Sequence, residues 1–437
     1  MQALLSYDQS PPIAAPFRFF LTAPVFGMLA GVLLLCSGAD LLASRWTPAA
    51  LALTHLITVG FMLNVMLGAM VQILPVVAGA NMARPLLVSA VVHIAIAFGT
   101  LFLVMAFLTF IPYWFAVAAF FLGVGVAVFI GAAAHALYGI PPTSPTIRGL
   151  KIALFGLAVT VGLGVLLSLS FGWSLNLPLL QLADIHLGWG FVAWGVILLA
   201  AVAYVVVPMF QLTPAFPDWF GRAFSFLALG AVVAWTLADF LLPGFISSLA
   251  SGVIVAVAAL FAGITLSVQR QSKRPRFDAT QHLWRLAMCS ALLACALWFL
   301  GLAAPVVGDW TGWPLLCGVL VLFGAFMSVI IGMLYKIVPF LIWLHLQNQG
   351  QGRMMAPNMK KIIGEQAMER QMLAHFASCA LLLLAVFWPE WLAAPAGVAL
   401  IVSQGGLMWN LLAALSVYRG HQRKIAALSA VQPSAPN

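Results

Sequence analysis

The sequence predicts an all-α membrane protein: twelve transmembrane helices in three four-helix repeats about a pseudo-three-fold axis. Three observations carry this prediction. The composition is that of a lipid-embedded chain, the apolar stretches are long enough and numerous enough, and the chain echoes itself. Of 437 residues, 64% are hydrophobic and only 7% are charged. A soluble domain of that make-up would have almost nothing polar to present to water.

A spanning helix needs about 20 apolar residues. Twelve stretches meet this, at roughly 17–40, 51–78, 86–110, 114–138, 149–172, 180–209, 222–242, 246–269, 282–304, 314–345, 370–389 and 393–418. Prolines and glycines mark the joints, as at Pro112, Pro141-Pro142, Pro214, Pro217, Pro243 and Pro305. One membrane domain, 17–418, is expected. It lies between an N-terminal cytoplasmic segment, 1–16, and a C-terminal cytoplasmic tail, 419–437, which reads as disordered after Gln422. No removable signal peptide is expected, because residues 1–16 lack a basic n-region with a cleavage site. Residues 346–369 form the longest loop, with room for a short interfacial helix.

Basic residues give the orientation. With twelve spans, seventeen lysines and arginines fall on one side, Arg45 alone falls on the other, and Lys336 lies inside a span. The expected setting is therefore a bacterial inner membrane with both termini cytoplasmic. The formal charge of +9 is spread over short loops and reads as topology, so no nucleic acid partner is expected. The five cysteines lie in apolar stretches without CxxC or CxxCH, which indicates neither a disulfide framework nor a c-type haem.

The echo links spans two, six and ten, counted back from Pro75, Pro208 and Pro339. Gly60 and Gly324 each stand fifteen residues before their proline, Gly68 and Gly332 seven, and Gln72 and Lys336 three. Tyr204 and Tyr335 each stand four before, and His186 and Cys317 twenty-two before. A period of four helices used three times would give a ring. In span two, Gly60, Asn64, Gly68 and Gln72 form a small and polar stripe suited to close helix contact. At helical spacing His55 shares another stripe with Val59, Met62 and Met66, an apolar wall that suits either a porphyrin face or plain packing.

Of eight histidines, His55 and His186 lie within about two turns of the outer surface on echoing helices. Neutral imidazole is the commonest metal ligand, and ligation would satisfy a ring nitrogen that is costly to bury. The other reading of each is a hydrogen bond to a neighbouring helix. His93, His135, His282, His345 and His375 lie toward the cytoplasmic side and His421 in the tail, and these six read as interfacial or loop-satisfied. Asp184 reads either as an acceptor holding His186 or as an interfacial acid. Lys336 reads as snorkelling to the cytoplasmic interface.

These features resemble haem-copper oxidase subunit I: twelve spans, termini inside, and a span-two histidine, His55, followed by Gly60-Phe61-Met62 and a closing Leu74-Pro75. The resemblance extends to divergent members such as the NnrS-type haem proteins associated with nitric oxide metabolism. It implies His55 as an axial ligand of a b-type haem, with His186 in the place of a copper ligand. The chain has no adjacent His-His pair and offers Cys317 where span ten would carry histidines, so copper would lack ligands. The resemblance thus implies a haem protein without the binuclear centre, with His55 as one ligand, His186 or a methionine as the second or that position open, and Met62 and Met66 beside the cofactor. It would act in electron transfer, gas sensing or nitric oxide metabolism, with a respiratory-chain subunit or electron donor as partner. The competing readings are a twelve-helix permease for a small solute and a non-catalytic assembly subunit of a respiratory complex.

Overall fold

The computed structural model describes residues 11–350 and 354–431, and among these there are helices and no strands. Twelve helices are long and apolar enough to cross a membrane. They are α1 (Ala14–Ala43), α2 (Pro48–Ala78), α3 (Pro85–Thr109), α4 (Pro112–Leu137), α5 (Pro145–Trp173) and α6 (Leu179–Gln211). They continue as α7 (Asp218–Leu241), α8 (Gly244–Arg270), α9 (Ala279–Ala303), α10 (Trp313–Gly350), α11 (Glu365–Phe387) and α12 (Pro389–Val431). Each predicted span has its helix. The ends differ where polar residues prolong a helix, because hydropathy registers only the apolar part. The largest difference is α12, which remains helical to Val431 where a disordered tail was expected after Gln422. Arg423 to Leu428 are good helix formers, and no proline follows until Pro433. The expectations for residues 1–10, 351–353 and 432–437 lie outside the described residues. The loop after α10 contains a short helix, Met359–Ile362.

Each helix packs on the next in sequence, and α12 packs along α1. At that closing contact Gly31 and Gly397 meet so closely that a Cβ on either would strike the other's carbonyl oxygen at 2.7 Å. The echoing helices α2, α6 and α10 are the most enclosed. In their most apolar windows 78%, 61% and 72% of residues are buried, against at most 50% in any other helix. The outer helices turn apolar side chains outward instead, among them Leu87, Phe120, Phe226 and Leu241.

The repeat appears in the backbone itself. α2, α6 and α10 each contain an eight-residue π-helical segment, at Leu56–Leu63, Trp189–Val196 and Leu320–Met327. Each segment begins nineteen residues before its proline, so all three share one register. Wide turns of this kind are rare and gather at functional sites. In two of them the next residue caps a carbonyl that the wide turn frees. Asn64 Nδ2 donates to the Gly60 carbonyl at 2.7 Å, and Ser328 Oγ donates to the Phe323 carbonyl at 3.1 Å. Each segment also leans on the helix that opens its own repeat. Gly60 faces Phe26 of α1, Ala193 faces Gly156 of α5, and Gly324 faces Ser290 of α9. The extra residue in the segment turns the lower half of α2 relative to the upper by about one residue's rotation, ~100°. Met62 and Met66 therefore do not continue the face of His55 as uniform helical spacing had placed them.

At the end of the bundle that carries the termini, Asp278 caps α9, its carboxylate accepting from the Gln281 amide at 3.0 Å. Lys336 reaches it from inside α10 at 2.6 Å, and Arg274 at 2.8 Å. Lys336 thus ends on a helix-capping carboxylate at this end, the direction expected of it. Burial alone would push the Asp278 carboxyl up, but Lys336, the Gln281 amide and Arg274 together hold it below the usual carboxylate value. Its side chain and that of Lys336 are only 17% and 18% exposed. Removing one partner, as in Lys336→Met, should cost about 3 kcal/mol, the lower end for a broken buried pair. A double variant, Lys336→Met with Asp278→Asn, should recover part of that loss in detergent melting curves. A carboxyl lowered on folding contributes stability above its unfolded value of about 4 and loses it as pH falls through the folded value. Wild type should therefore lose thermal stability below about pH 4 more steeply than the double variant.

Candidate functional site

His55 closes the first two turns of α2, just before the π segment. His186 stands in α6 three residues before the equivalent segment. The two rings are anchored alike. His55 Nδ1 lies 2.8 Å from the Leu51 carbonyl, one turn back, and His186 Nδ1 lies 2.9 Å from the Thr160 carbonyl on α5. A carbonyl only accepts, so in both rings Nδ1 carries the hydrogen and donates it. Nε2 is then left with its lone pair. This is the arrangement in which a backbone acceptor fixes tautomer and ring plane for a ligating imidazole.

Both residues are half-buried. They are close enough that charge on one is felt by the other. His55 rests on Phe107 of α3, with ring centroids 5.1 Å apart, and Phe107 in turn meets Phe115 of α4 edge-on. His186 has its place because residue 164 is glycine, where a Cβ would stand 3.0 Å from the imidazole Cε1. Thr160 is steadied by its own hydroxyl, which donates to the Gly156 carbonyl at 2.7 Å. Met62 and Met66 are buried core side chains farther along α2.

Asp184 does not hold His186; it pairs with Arg45 at 3.0 Å. Residues two apart on a helix face different ways, so the acid turns to the surface while the imidazole turns to α5. The pair fastens the α1–α2 loop to α6 above the two histidines, and Arg45 also lies over the Trp46 ring. With side chains 38% and 45% exposed, it is a surface pair. Arg45→Met should change stability by less than about 1 kcal/mol in detergent melting, an effect that shrinks further with added salt.

Among the remaining histidines, His93 pairs with Thr22 of α1 at 2.7 Å and His421 with the Val417 carbonyl at 3.1 Å. His375 is not interfacial as expected. It is fully buried, 2.8 Å from Ser328 at the foot of the α10 π segment. Its helix is apolar enough overall to hide a polar face, yet Gln371, His375, Ser378 and Cys379 recur at the spacing of one helix side. That recurrence was a readable signal. The five cysteines are free thiols, and among the described residues no three His, Cys, Asp or Glu side chains converge as a metal cluster. Comparison with protein-family models and with curated proteins returns no match.

Proposed function

We propose that this chain is a haem-binding protein of the bacterial inner membrane, termini cytoplasmic, related in architecture to haem-copper oxidase subunit I and acting in electron transfer. The observation that carries the reading is the matched pair of imidazoles. Each stands just before a π segment on an inner helix. Each has Nδ1–H spent on a carbonyl and Nε2 uncommitted, and the two are within electrostatic reach.

The donor set fits a b-type haem: two neutral imidazoles of fixed tautomer on the enclosed side of the bundle, with apolar and aromatic neighbours. His55 and His186 would hold the iron. When bound, the haem would supply one-electron redox chemistry. The protein's share is to fix both rings through Leu51 and Thr160 and to keep water from the site behind Phe107 and Phe115. Copper would lack ligands here, since the sequence has no adjacent His-His pair and offers Cys317 where span ten would carry histidines. With both imidazoles as ligands the iron would serve electron transfer rather than gas sensing or nitric oxide metabolism. The expected partner is a respiratory-chain electron donor or acceptor.

The test is an absorption spectrum of detergent-solubilised protein from haem-replete cells. A Soret band is expected, with a low-spin reduced form unchanged by carbon monoxide. A colourless, folded preparation would refute haem binding, and a carbon monoxide shift would replace electron transfer by a gas-binding role.

A further inference from the structure

The seam between α10, α11 and α12 contains polar groups that the haem site does not use. Nearest the termini-bearing end, Asn410 Nδ2 donates to the Tyr335 hydroxyl at 2.9 Å. That hydroxyl donates to Gln371 Oε1 at 3.0 Å, and Gln371 Nε2 donates to the Ser403 carbonyl at 3.2 Å. One turn along α11 from Gln371, His375 meets Ser328, and a further turn on, Cys379 lies 3.5 Å from the same imidazole. From Gln371 to Cys379 the row climbs about 12 Å along α11. Tyr335, Gln371, His375, Ser378, Ser403 and Asn410 are all at most 5% exposed.

Within this seam the hydrogen-bond count fails at defined atoms. Ser328 Oγ lies 3.1 Å from the Phe323 carbonyl and 2.8 Å from His375 Nε2, which occupies Nε2 and leaves Nδ1 over. No protein donor reaches His375 Nδ1, although the ring is fully buried. Ser378 Oγ, three residues along on the same helix side, has no partner either. Elsewhere in the chain such hydroxyls commonly donate one turn back, as Thr54, Thr58, Thr100 and Thr265 do. Gln404 Oε1 on α12 is unpaired as well, while its amide rests on Met327 Sδ at 3.3 Å. Each buried orphan of this kind is costly unless something polar meets it. Small groups from all three helices, Ser328, Ser378, Ser403 and Gly406, line the seam.

We propose that this seam is a water-binding site. A short row of ordered waters sits on His375 Nδ1 and Ser378 Oγ and is reached past Tyr335 and Gln371 from the termini-bearing end. The row lets the buried imidazole exchange protons with solvent on that side. Water, which both donates and accepts, supplies the partner that Nδ1 lacks and those that Ser378 Oγ lacks.

Hydroxyl radicals generated by X-ray pulses in detergent-solubilised protein mark buried side chains that touch bound water. Met327, Tyr335 and His375 should be oxidised several-fold faster than expected for their burial. Met70 and Met288, equally buried, give the baseline for Met327. In deuterated water the His375 Cε1 hydrogen should exchange over days, because that exchange needs a proton on the ring. Ser378→Val should slow both signals. Oxidation of Met327 at the rate of Met70 and Met288, or a His375 ring that does not exchange, overturns the proposal. Neither readout depends on haem.

Discussion

His55→Ala protein purified from haem-replete cells is expected to lose its Soret band almost completely, with haem per protein falling at least roughly ten-fold, because even a lost outer partner of a ligand costs 10–100-fold. The reason is local. His55 is anchored within its own helix by the Leu51 carbonyl, so its ring direction does not depend on the neighbouring helix. His186 is anchored across to α5 instead, and its removal should act differently. His186→Ala should keep part of the haem on His55 but present an open sixth position, read as a carbon monoxide shift in the reduced spectrum. Added imidazole should restore the low-spin form. His93→Ala is the control, since that ring is taken by Thr22. A Soret band unchanged in His55→Ala would remove the basis for the proposed site.

Gly156→Leu should prevent folded protein from accumulating, and Gly156→Ala should cost about 1–3 kcal/mol as an overpacked contact. A Cβ at residue 156 meets the Ala193 carbonyl and the Trp194 amide nitrogen, which are backbone and have no rotamer through which to yield. Only separation of α5 from α6 relieves the clash. The contact falls on the π segment of α6, and Thr160, one turn along α5, holds His186. Gly156→Ala should therefore weaken haem retention as well as melting. Gly123→Ala is the comparison, because the nearest atom there is a Val165 methyl at 3.3 Å. Equal melting of the two alanine variants would show that the close approach matters less than its geometry implies.

The twelve helices and the shared register of α2, α6 and α10 could be read from the chain, since apolar length and matched prolines are written one residue at a time. The π segments could not. Nothing about Leu56 to Leu63 distinguishes a wide turn from an ordinary one; the distinction arises where Gly60 meets Phe26 and Asn64 finds a freed carbonyl. The same limit explains Met62 and Met66, whose alignment with His55 assumed an undisturbed helix. His55 and His186 stood out because of their depth, but the groups that fix them, Leu51 and Thr160, are backbone carbonyls and leave no mark in residue type. Arg45 and Asp184 lie far apart in sequence, so their pairing became visible only with the fold. His375 reads as interfacial from its place toward the cytoplasmic side of its span, whereas the polar face it shares with Gln371 and Ser378 is turned into the seam with α10.

The widened turns give the three inner helices an unusual response to small edits. Excising one residue from such a segment would let it relax into regular winding. The helix would then shorten without changing phase, because the wide turn had already absorbed that residue, and everything beyond the cut would keep its face toward its neighbours. In α2 such a deletion would leave His55, Met66, Gly68 and Gln72 on their present faces, whereas one made in a regularly wound stretch would swivel all that follows by ~100°.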